Sequence, residues 1–225
     1  MPVTLLVFCK RPKIRQGKQR IAATLGAAKA LQVAEALLDC ALEDAAAWPG
    51  PVVIAPASQE DETWARALLP GCDYAVVAQP EGNLGTRINA LDKILRSRGH
   101  DYIVIIGTDA PVLGYPLYSQ ARRLLADNEI VLSSADDGGV TLMTSSVPWP
   151  DISALPWSTE KLGQALHDAC TEAGLTVAYT QPSYDVDLAT DLSKLARDLR
   201  EDPRSARRKL HALLCEMLSD GLNPD

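Results

Sequence analysis

The sequence predicts an α/β protein with a mixed, mostly parallel β-sheet and helices on both faces of that sheet. Short apolar runs rich in β-branched residues alternate with longer segments of helical periodicity. This alternation implies right-handed crossovers between parallel strands, whereas a DDGG turn between two apolar runs implies one antiparallel hairpin. The chain has 225 residues and no linker-like stretch. We therefore expect a single domain over residues 1–225, with residues 201–225 as a C-terminal helical appendage.

The elements follow one another in the order of that pattern. The first strand is a continuous apolar run, a basic loop at residues 10–25 follows it, and the fourth strand is the most apolar. Helices are assigned where apolar residues recur at helical spacing and where Pro or Gly marks an end, as Gly174 does. The expected strands cover residues 3–9, 51–55, 74–78, 102–106, 130–134, 140–144 and 175–180. The expected helices cover residues 27–48, 61–69, 87–98, 118–127 and 159–173, and two more begin at about residues 188 and 203.

Composition restricts the class of partner. Hydrophobic residues make up 47% of the chain, charged residues 23%, and the net charge is −7, as in an ordinary acidic globular protein. A nucleic-acid-binding surface would need clustered Lys and Arg, so we expect a small-molecule partner and no nucleic acid. The sequence indicates no oligomeric state.

Cysteine and histidine usage restricts the chemistry and the compartment. The five cysteines are far apart and form no CxxC pair, and the three histidines lack metal-ligand spacing. A disulfide framework and a zinc site are therefore disfavoured. The first apolar run has only seven residues and precedes the basic residues, which is wrong for a signal peptide and too short for a membrane span. We expect a cytoplasmic protein without a membrane span.

Ligands of open α/β sheets bind at the carboxyl ends of the strands, so the polar loops after strands are the candidate sites. The first is KRPKIRQGKQR at residues 10–20, which holds six basic residues and no acid. Lys and Arg can bind phosphate through charge-assisted hydrogen bonds, and Gly17 allows close approach of a ligand to the backbone. Because the spacing matches no Walker motif, a solvated basic loop is an equal alternative.

Two further loops contain aspartates suited to a metal ion. Asp109, in GTDAP, ends the most apolar strand, and Mg²⁺ together with phosphate oxygens would satisfy its charge. The alternative is that Asp109 caps the following turn. In SYDVDL, Asp185 and Asp187 alternate, so they point the same way in extended backbone. One could complete a metal site, or Asp187 could cap the next helix.

The remaining two loops are less specific. ADDGG at residues 135–139, which contains Asp137, predicts a plain hairpin turn when taken alone. QPEGNLGTR at residues 79–87 has two glycines, Gly82 and Gly85, that permit close approach to a ligand, but surface loops contain such residues often.

Taken together, these loops resemble those of a bacterial GT-A-type glycosyltransferase-like family, a largely uncharacterised family of the nucleotide-diphospho-sugar transferase superfamily. The resemblance covers about residues 4–192. The family pattern KxPxxGxxKTRL is matched at Lys10, Pro12, Lys18 and Arg20. Arg15 stands at the motif glycine, with Gly17 two positions later, and the Thr and Leu positions are occupied by Gln19 and Ile21.

The other family motifs are also present with substitutions. GSDCP appears as GTDAP, PWST is intact at residues 156–159, and EDGGYYLIGL appears as DDGGVTLMTS, with Val140 and Thr141 in place of aromatic residues. QxxGDLGxR is matched, with Asn in place of Asp, at Gln79, Gly82, Asn83, Leu84, Gly85 and Arg87. DxDTxEDL is matched at Asp185, Asp187, Leu188, Asp191 and Leu192.

The resemblance implies a GT-A, Rossmann-like fold and a role for each loop. It implies that Asp109, with Asp187 or Asp185, holds Mg²⁺ or Mn²⁺, and that Asp137 faces the acceptor as a base or an orienting group. Lys18 and Arg20 would neutralise the phosphates and take part in catalysis. The residues expected to contact the nucleotide are Lys10, Gly17, Gln79, Gly82, Asn83 and Gly85.

The resulting hypothesis is a metal-dependent transferase that uses a nucleotide-diphospho-sugar donor. One alternative is a nucleotidyltransferase, which would release pyrophosphate from a nucleoside triphosphate with the same metal and cations. The other is a non-catalytic nucleotide-binding protein on the same fold, an alternative that the changes at Arg15, Val140 and Thr141 keep open.

Overall fold

In the computed structural model of the protein, which describes residues 2–219, seven strands form a single sheet. They are β1 (Thr4–Cys9), β2 (Val52–Pro56), β3 (Ala75–Val76), β4 (Ile103–Ile106), β5 (Ile130–Ser134), β6 (Val140–Ser145) and β7 (Val177–Tyr179). The strand order is β3-β2-β1-β4-β6-β5-β7. Within the described chain β6 alone runs antiparallel to its neighbours. The predicted mixed, mostly parallel sheet with one hairpin is confirmed.

Eight α-helices lie on both faces of the sheet and beside it in this part of the chain. They are α1 (Gln19–Leu25), α2 (Ala27–Ala46), α3 (Glu62–Ala65), α4 (Leu84–Ser97), α5 (Tyr115–Leu124), α6 (Leu162–Glu172), α7 (Ala189–Asp198) and α8 (Ser205–Ser219). Successive residues of β1 alternate between the two faces: Leu5 and Val7 pack toward α2, α3 and α5, whereas Leu6 and Phe8 pack toward α4 and α6. Both faces of the central strands are therefore buried, which explains their continuous apolar sequences.

A third apolar cluster lies beside the sheet, between α1, α2, α7 and α8. It buries Ile21 of α1, Val33 of α2, Leu195 of α7 and Leu214 of α8 completely. The helix α8 thus contributes side chains to a core, although it lies in the segment predicted as an appendage. Residues 220–225 of that segment lie outside the described residues, and the predicted domain division stays a prediction.

Two predicted elements are wrong. The segment 10–25 is predicted to be a loop, but its last part forms the helix α1. Only one residue of α1, Ile21, is buried, so the sequence shows no helical period of apolar residues there. The helix expected over residues 61–69 is reduced to a 3₁₀ turn, Gln59–Asp61, and the four residues of α3. The other elements lie within a few residues of their predicted bounds. Among the described helices, none combines the length and the apolar composition that crossing a membrane requires.

Candidate functional site

The polar loops meet at one edge of the sheet because of the strand directions. β1 and β4 are parallel neighbours, and the chain continues from β1 to β2 but from β4 to β5, which are opposite directions along the strand order, so a crevice forms at their carboxyl ends. Because β6 is antiparallel, the hairpin before it lies at the same edge. The segment after β7 is joined to that hairpin by a bridge between Ala135 and Ser183. The loops predicted to carry chemistry therefore share one edge.

Lys18 lies at the centre of this edge, between two of the predicted carboxylates. Its Nζ is 2.7 Å from Oδ1 of Asp109 and 3.2 Å from Oδ1 of Asp187, and it also donates to the carbonyl of Val186. The two carboxylate oxygens are at most about 5.9 Å apart, since they lie 2.7 and 3.2 Å from the same nitrogen. The Lys18 side chain is only 8% exposed, whereas both carboxylates are about half exposed. The structure thus brings Lys18, Asp109 and Asp187 together from three separate loops.

Backbone contacts fix the two acidic loops relative to each other. The N–H of Val186 donates to the carbonyl of Asp109 at 2.8 Å. Asp191 accepts hydrogen bonds from the N–H groups of Asp187 and Leu188, at 2.9 and 2.7 Å, and so caps α7. The alternative in which Asp187 caps this helix is therefore wrong, and its side chain faces the basic loop instead.

Arg20 and Lys10 are more exposed members of the basic loop. Nη1 of Arg20 is 3.9 Å from Oδ2 of Asp187, and its side chain is 71% exposed. Lys10 is exposed directly after β1. Arg11 and Lys13 pair instead with the buried carboxylate of Asp61, at 3.7 and 3.1 Å. The basic loop is therefore divided, and Lys18 and Arg20 are the members that face the acidic loops.

The backbone of the basic loop explains why the family motif has a glycine at the position of Arg15. The N–H of Gln16 donates to the carbonyl of Lys13 at 3.0 Å, which closes a turn with Arg15 at the third position. Arg15 has φ 62° and Gly17 has φ 73°, both in the left-handed region. Turns with positive φ at the third position favour Gly. Arg15 therefore adopts the conformation that a glycine would adopt without strain.

Asp185 lies half-buried beside the same carboxylates. Burial, together with the negative charges of Asp137, Asp187 and Asp109, raises the pKa of Asp185 to about 6. A positive charge placed among these side chains would relieve both effects. Even with Lys18 present, the negative charge of the acidic loops is thus not fully compensated by positive charge.

The donor set suits a hard divalent cation. Mg²⁺ uses one or two protein carboxylates together with phosphate oxygens, and Asp109 and Asp187, with Asp185 beside them, supply such oxygens. Within residues 2–219, no three His, Cys, Asp or Glu side chains are already arranged around a single point. A metal here would rely on two carboxylates and on the phosphates of its ligand, and this role stays a prediction.

Asp137 belongs to a hairpin turn with strict geometry. Its Oδ1 accepts a hydrogen bond from the N–H of Gly139 at 2.9 Å. Gly138 has φ 85°, and a Cβ there would lie 2.1 Å from the carbonyl oxygen of Glu160. The hairpin predicted from DDGG is confirmed. Asp137 is exposed at the tip of this hairpin. That Asp137 faces an acceptor stays a prediction.

The residues predicted from QPEGNLGTR to bind a nucleotide have partners within the protein. Buried Gln79 donates to the carbonyl of Ala55 at 2.7 Å and accepts from Arg87 at 3.2 Å, and Arg87 also donates to the carbonyl of Gly82 at 2.8 Å. These contacts hold the loop after β3 against the end of β2. They shape the crevice, and direct contact with a nucleotide stays a prediction.

Asn83 and Gly85 join the start of α4 to the segment after β6. Asn83 caps α4 by accepting from the N–H of Thr86 at 2.9 Å, while its amide donates to the carbonyl of Ser153 at 2.7 Å. An aspartate could make the first bond but could not donate the second. A Cβ on Gly85 would lie 2.3 Å from atoms of Ile152 and Trp157, so close packing accounts for this glycine.

A cavity of about 220 Å³ beside the crevice was not predicted from the sequence. Its lining includes Asp109 and Asp185 together with mostly apolar side chains from β1, α4, β6 and the start of α6. The sequence features that could have pointed to it are Trp157 of the PWST motif and the pair Val140 and Thr141 of the DDGGVTLMTS motif. The apolar residues resemble ordinary core positions in the sequence, and only their common exposure to one space distinguishes them.

Comparison with known proteins assigns the chain to a family. A family model described as an uncharacterized protein conserved in bacteria, DUF2064, matches residues 37–159, which is more than half of the chain. The chain belongs to this family. The matched segment includes Asp109 and Asp137 but not Lys18, Asp185 or Asp187. No curated protein matches the chain significantly.

Solved structures show the same fold at low sequence identity. A candidate nucleotide-diphospho-sugar transferase from Desulfovibrio desulfuricans G20 is similar with a TM-score of 0.83 and 23% identity, over 96% of this chain and 99% of that chain. A cytidylyltransferase from Leptospira borgpetersenii is similar with a TM-score of 0.59 and 13% identity, over 100% of this chain and 98% of that chain. A 4-diphosphocytidyl-2C-methyl-D-erythritol synthase from Anaerococcus prevotii is similar with a TM-score of 0.51 and 11% identity, over 84% and 94%. The nucleotide-diphospho-sugar transferase-like fold predicted from the sequence is confirmed.

Proposed function

We propose that this protein is a metal-dependent transferase that moves a sugar from a nucleotide-diphospho-sugar donor to an acceptor. The observation that supports it is the placement of Lys18 between Asp109 and Asp187. These residues lie at the carboxyl ends of β1 and β4, where the direction of the strand order reverses. Cationic and anionic groups held together in such a crevice are suited to a diphosphate and its counter-ion. The fold shared with a candidate nucleotide-diphospho-sugar transferase is compatible with this proposal.

In this proposal the side chains have separate tasks. Lys18 and Arg20 bind the diphosphate oxygens, and Lys18 exchanges a carboxylate partner for a phosphate when the donor enters. Asp109, with Asp187 or Asp185, holds Mg²⁺ or Mn²⁺, which when bound stabilises the charge of the leaving diphosphate. The acceptor oxygen bonds to the anomeric carbon as the bond from that carbon to the diphosphate oxygen breaks. The diphosphate keeps the electron pair, and the acceptor proton passes to a carboxylate such as Asp137.

Nucleotidyl transfer is the second candidate, because the same fold occurs in cytidylyltransferases. The same cations and carboxylates would then bind a nucleoside triphosphate, and the leaving group would be pyrophosphate. The two reactions differ in the bond that breaks, so the released product distinguishes them. Without turnover, nucleotide binding alone would indicate the non-catalytic alternative.

The test follows release of nucleoside diphosphate and of pyrophosphate from a panel of nucleotide sugars and nucleoside triphosphates with Mn²⁺. Asp109→Asn preserves shape and removes one negative charge, so the loss of about 4 kcal/mol of stabilisation should slow turnover roughly a thousand-fold. Asp73→Asn, at an exposed carboxylate shortly before β3, is the matched control and should leave turnover unchanged. Turnover that neither a chelator nor Asp109→Asn reduces would remove the metal from the proposal. Release of neither product, with nucleotide binding intact, would refute the transferase.

A further inference from the structure

The cavity beside Asp109 and Asp185 is small and mostly apolar. It has a volume of about 220 Å³, and its lining includes Phe8, Ile88, Val140, Met143, Trp157 and Leu162. A cavity of about 150 Å³ lined by Leu, Ile and Phe is large enough to bind benzene. This space therefore suits a single aromatic ring or a short branched alkyl group.

The lining offers few hydrogen-bond donors. The indole N–H of Trp157 donates to the carbonyl of Ile152 at 2.8 Å, so it is already satisfied. The hydroxyl of Thr141 is directed to the carbonyl of Ser133 at 3.5 Å. A sugar ring in this cavity would exchange hydrogen bonds with water for apolar contacts, which is unfavourable for every hydroxyl that stays unpaired. The lining therefore favours an apolar occupant over a sugar.

The cavity adjoins the proposed transfer site through its carboxylates. Asp109 contacts Lys18, and the charges of Asp109 and Asp187 act on Asp185, so the acidic side of the cavity is the side that faces the crevice. A ligand with one hydroxyl and one apolar group would place the hydroxyl toward these carboxylates. The apolar group would lie against the apolar lining, which includes Trp157 and Met143.

We propose that this cavity is the acceptor subsite and that it takes an alcohol carrying a single aromatic ring or a comparable branched alkyl group. The role of acceptor rests on the proposed function, whereas the preference for an apolar group rests on the cavity alone. The substitutions of aromatic residues by Val140 and Thr141 agree with this assignment, since smaller side chains there leave room for the group.

The first experiment measures binding without a donor or a metal. Benzyl alcohol, glucose and uridine are titrated separately into the protein and followed by ligand-detected NMR. We expect benzyl alcohol to bind in the millimolar range, and glucose and uridine not to displace it. Val140→Phe fills the cavity and should weaken benzyl alcohol at least ten-fold. Val177→Phe, at a partly buried position of β7 outside the lining, is the matched control and should change the affinity less than two-fold.

A second variant tests the subsite independently, in case Val140→Phe does not fold. Leu162→Ala enlarges the cavity and should improve binding of 2-naphthalenemethanol relative to benzyl alcohol several-fold. Displacement of benzyl alcohol by glucose or uridine, or binding unaffected by both variants, would overturn the subsite. For any donor that turns over in the product assay, benzyl alcohol should accelerate nucleotide release by the wild-type protein more than glucose does. In Val140→Phe this difference between the two acceptors should disappear. Benzyl alcohol binding without turnover of any donor would refute the proposed function and with it the acceptor role, while confirming the apolar site.

Discussion

The buried guanidinium of Arg207 makes the contribution of α8 measurable. It is 1% exposed and donates to Oδ2 of Asp44 at 2.7 Å, to Oε2 of Glu43 at 3.1 Å and to the carbonyl of Cys40. It also donates to the carbonyls of Pro111 and Leu113, at 3.1 and 3.2 Å, in the loop that follows Asp109. One side chain therefore connects α8, α2 and the loop that contains a proposed metal ligand.

Arg207→Ala should strongly destabilise the fold. The change leaves Asp44, which is 9% exposed, without its main cationic partner, and breaking such a buried pair costs about 3–5 kcal/mol. That is a large part of the roughly 5–15 kcal/mol by which domains are stable. The measurement is the free energy of unfolding from urea denaturation, and Arg208→Ala, an exposed residue one position later, is the matched control. The control should lie within about 0.5 kcal/mol of wild type.

The deficit of Arg207→Ala should depend on pH. Burial raises the pKa of Asp44 even with Arg207 beside it, and removing the guanidinium raises it further. A carboxyl whose pKa is higher in the folded than in the unfolded state destabilises the fold when ionised, so its penalty decreases as pH falls. We expect a smaller deficit at pH 5 than at pH 8. A deficit equal to that of Arg208→Ala, or one independent of pH, would refute this reasoning.

Three other variants test the site. Asp185→Asn should stabilise the ligand-free protein by about 1–2 kcal/mol at pH 7.5, because Asp185 has a folded pKa of about 6 and its half-exposed charge is partly screened. At pH 3.5 the gain should vanish in the same thermal unfolding measurement, and equal gains at both pH values would contradict the assignment. Arg15→Gly should raise the free energy of unfolding by about 0.5–1 kcal/mol, since glycine adopts φ 62° without strain, and a loss of stability would contradict the turn geometry. Arg20→Ala should weaken nucleotide binding by about 1.5–3 kcal/mol, or roughly ten- to a hundred-fold by calorimetry. Arg66→Ala, at an exposed position after α3, is its control, and equal affinities of the two variants would exclude Arg20 from the phosphate site.

The sequence by itself determined the fold class and the positions of most elements. Continuous apolar runs such as Ile103–Ile106 are the local signature of strands buried on both faces, and Gly138 marks its turn because only glycine fits there. The loops that follow these strands could also be predicted to share an edge, since parallel strands end together. These features depend on the types of neighbouring residues, which can be read directly from the sequence.

Only the tertiary structure decided which side chains meet at that edge. Lys18, Asp109 and Asp187 come from loops that lie far apart in the sequence, and their contacts depend on how the crossovers place those loops. The same holds for α1, whose single buried residue, Ile21, needs α7 and α8 around it before a helix is favourable. Arg207 shows no distinguishing pattern in a charged C-terminal segment, yet it is buried because Asp44 and two loop carbonyls lie opposite it. Burial and charge pairing are properties of the assembled chain, so residues that depend on them cannot be identified from the local sequence alone.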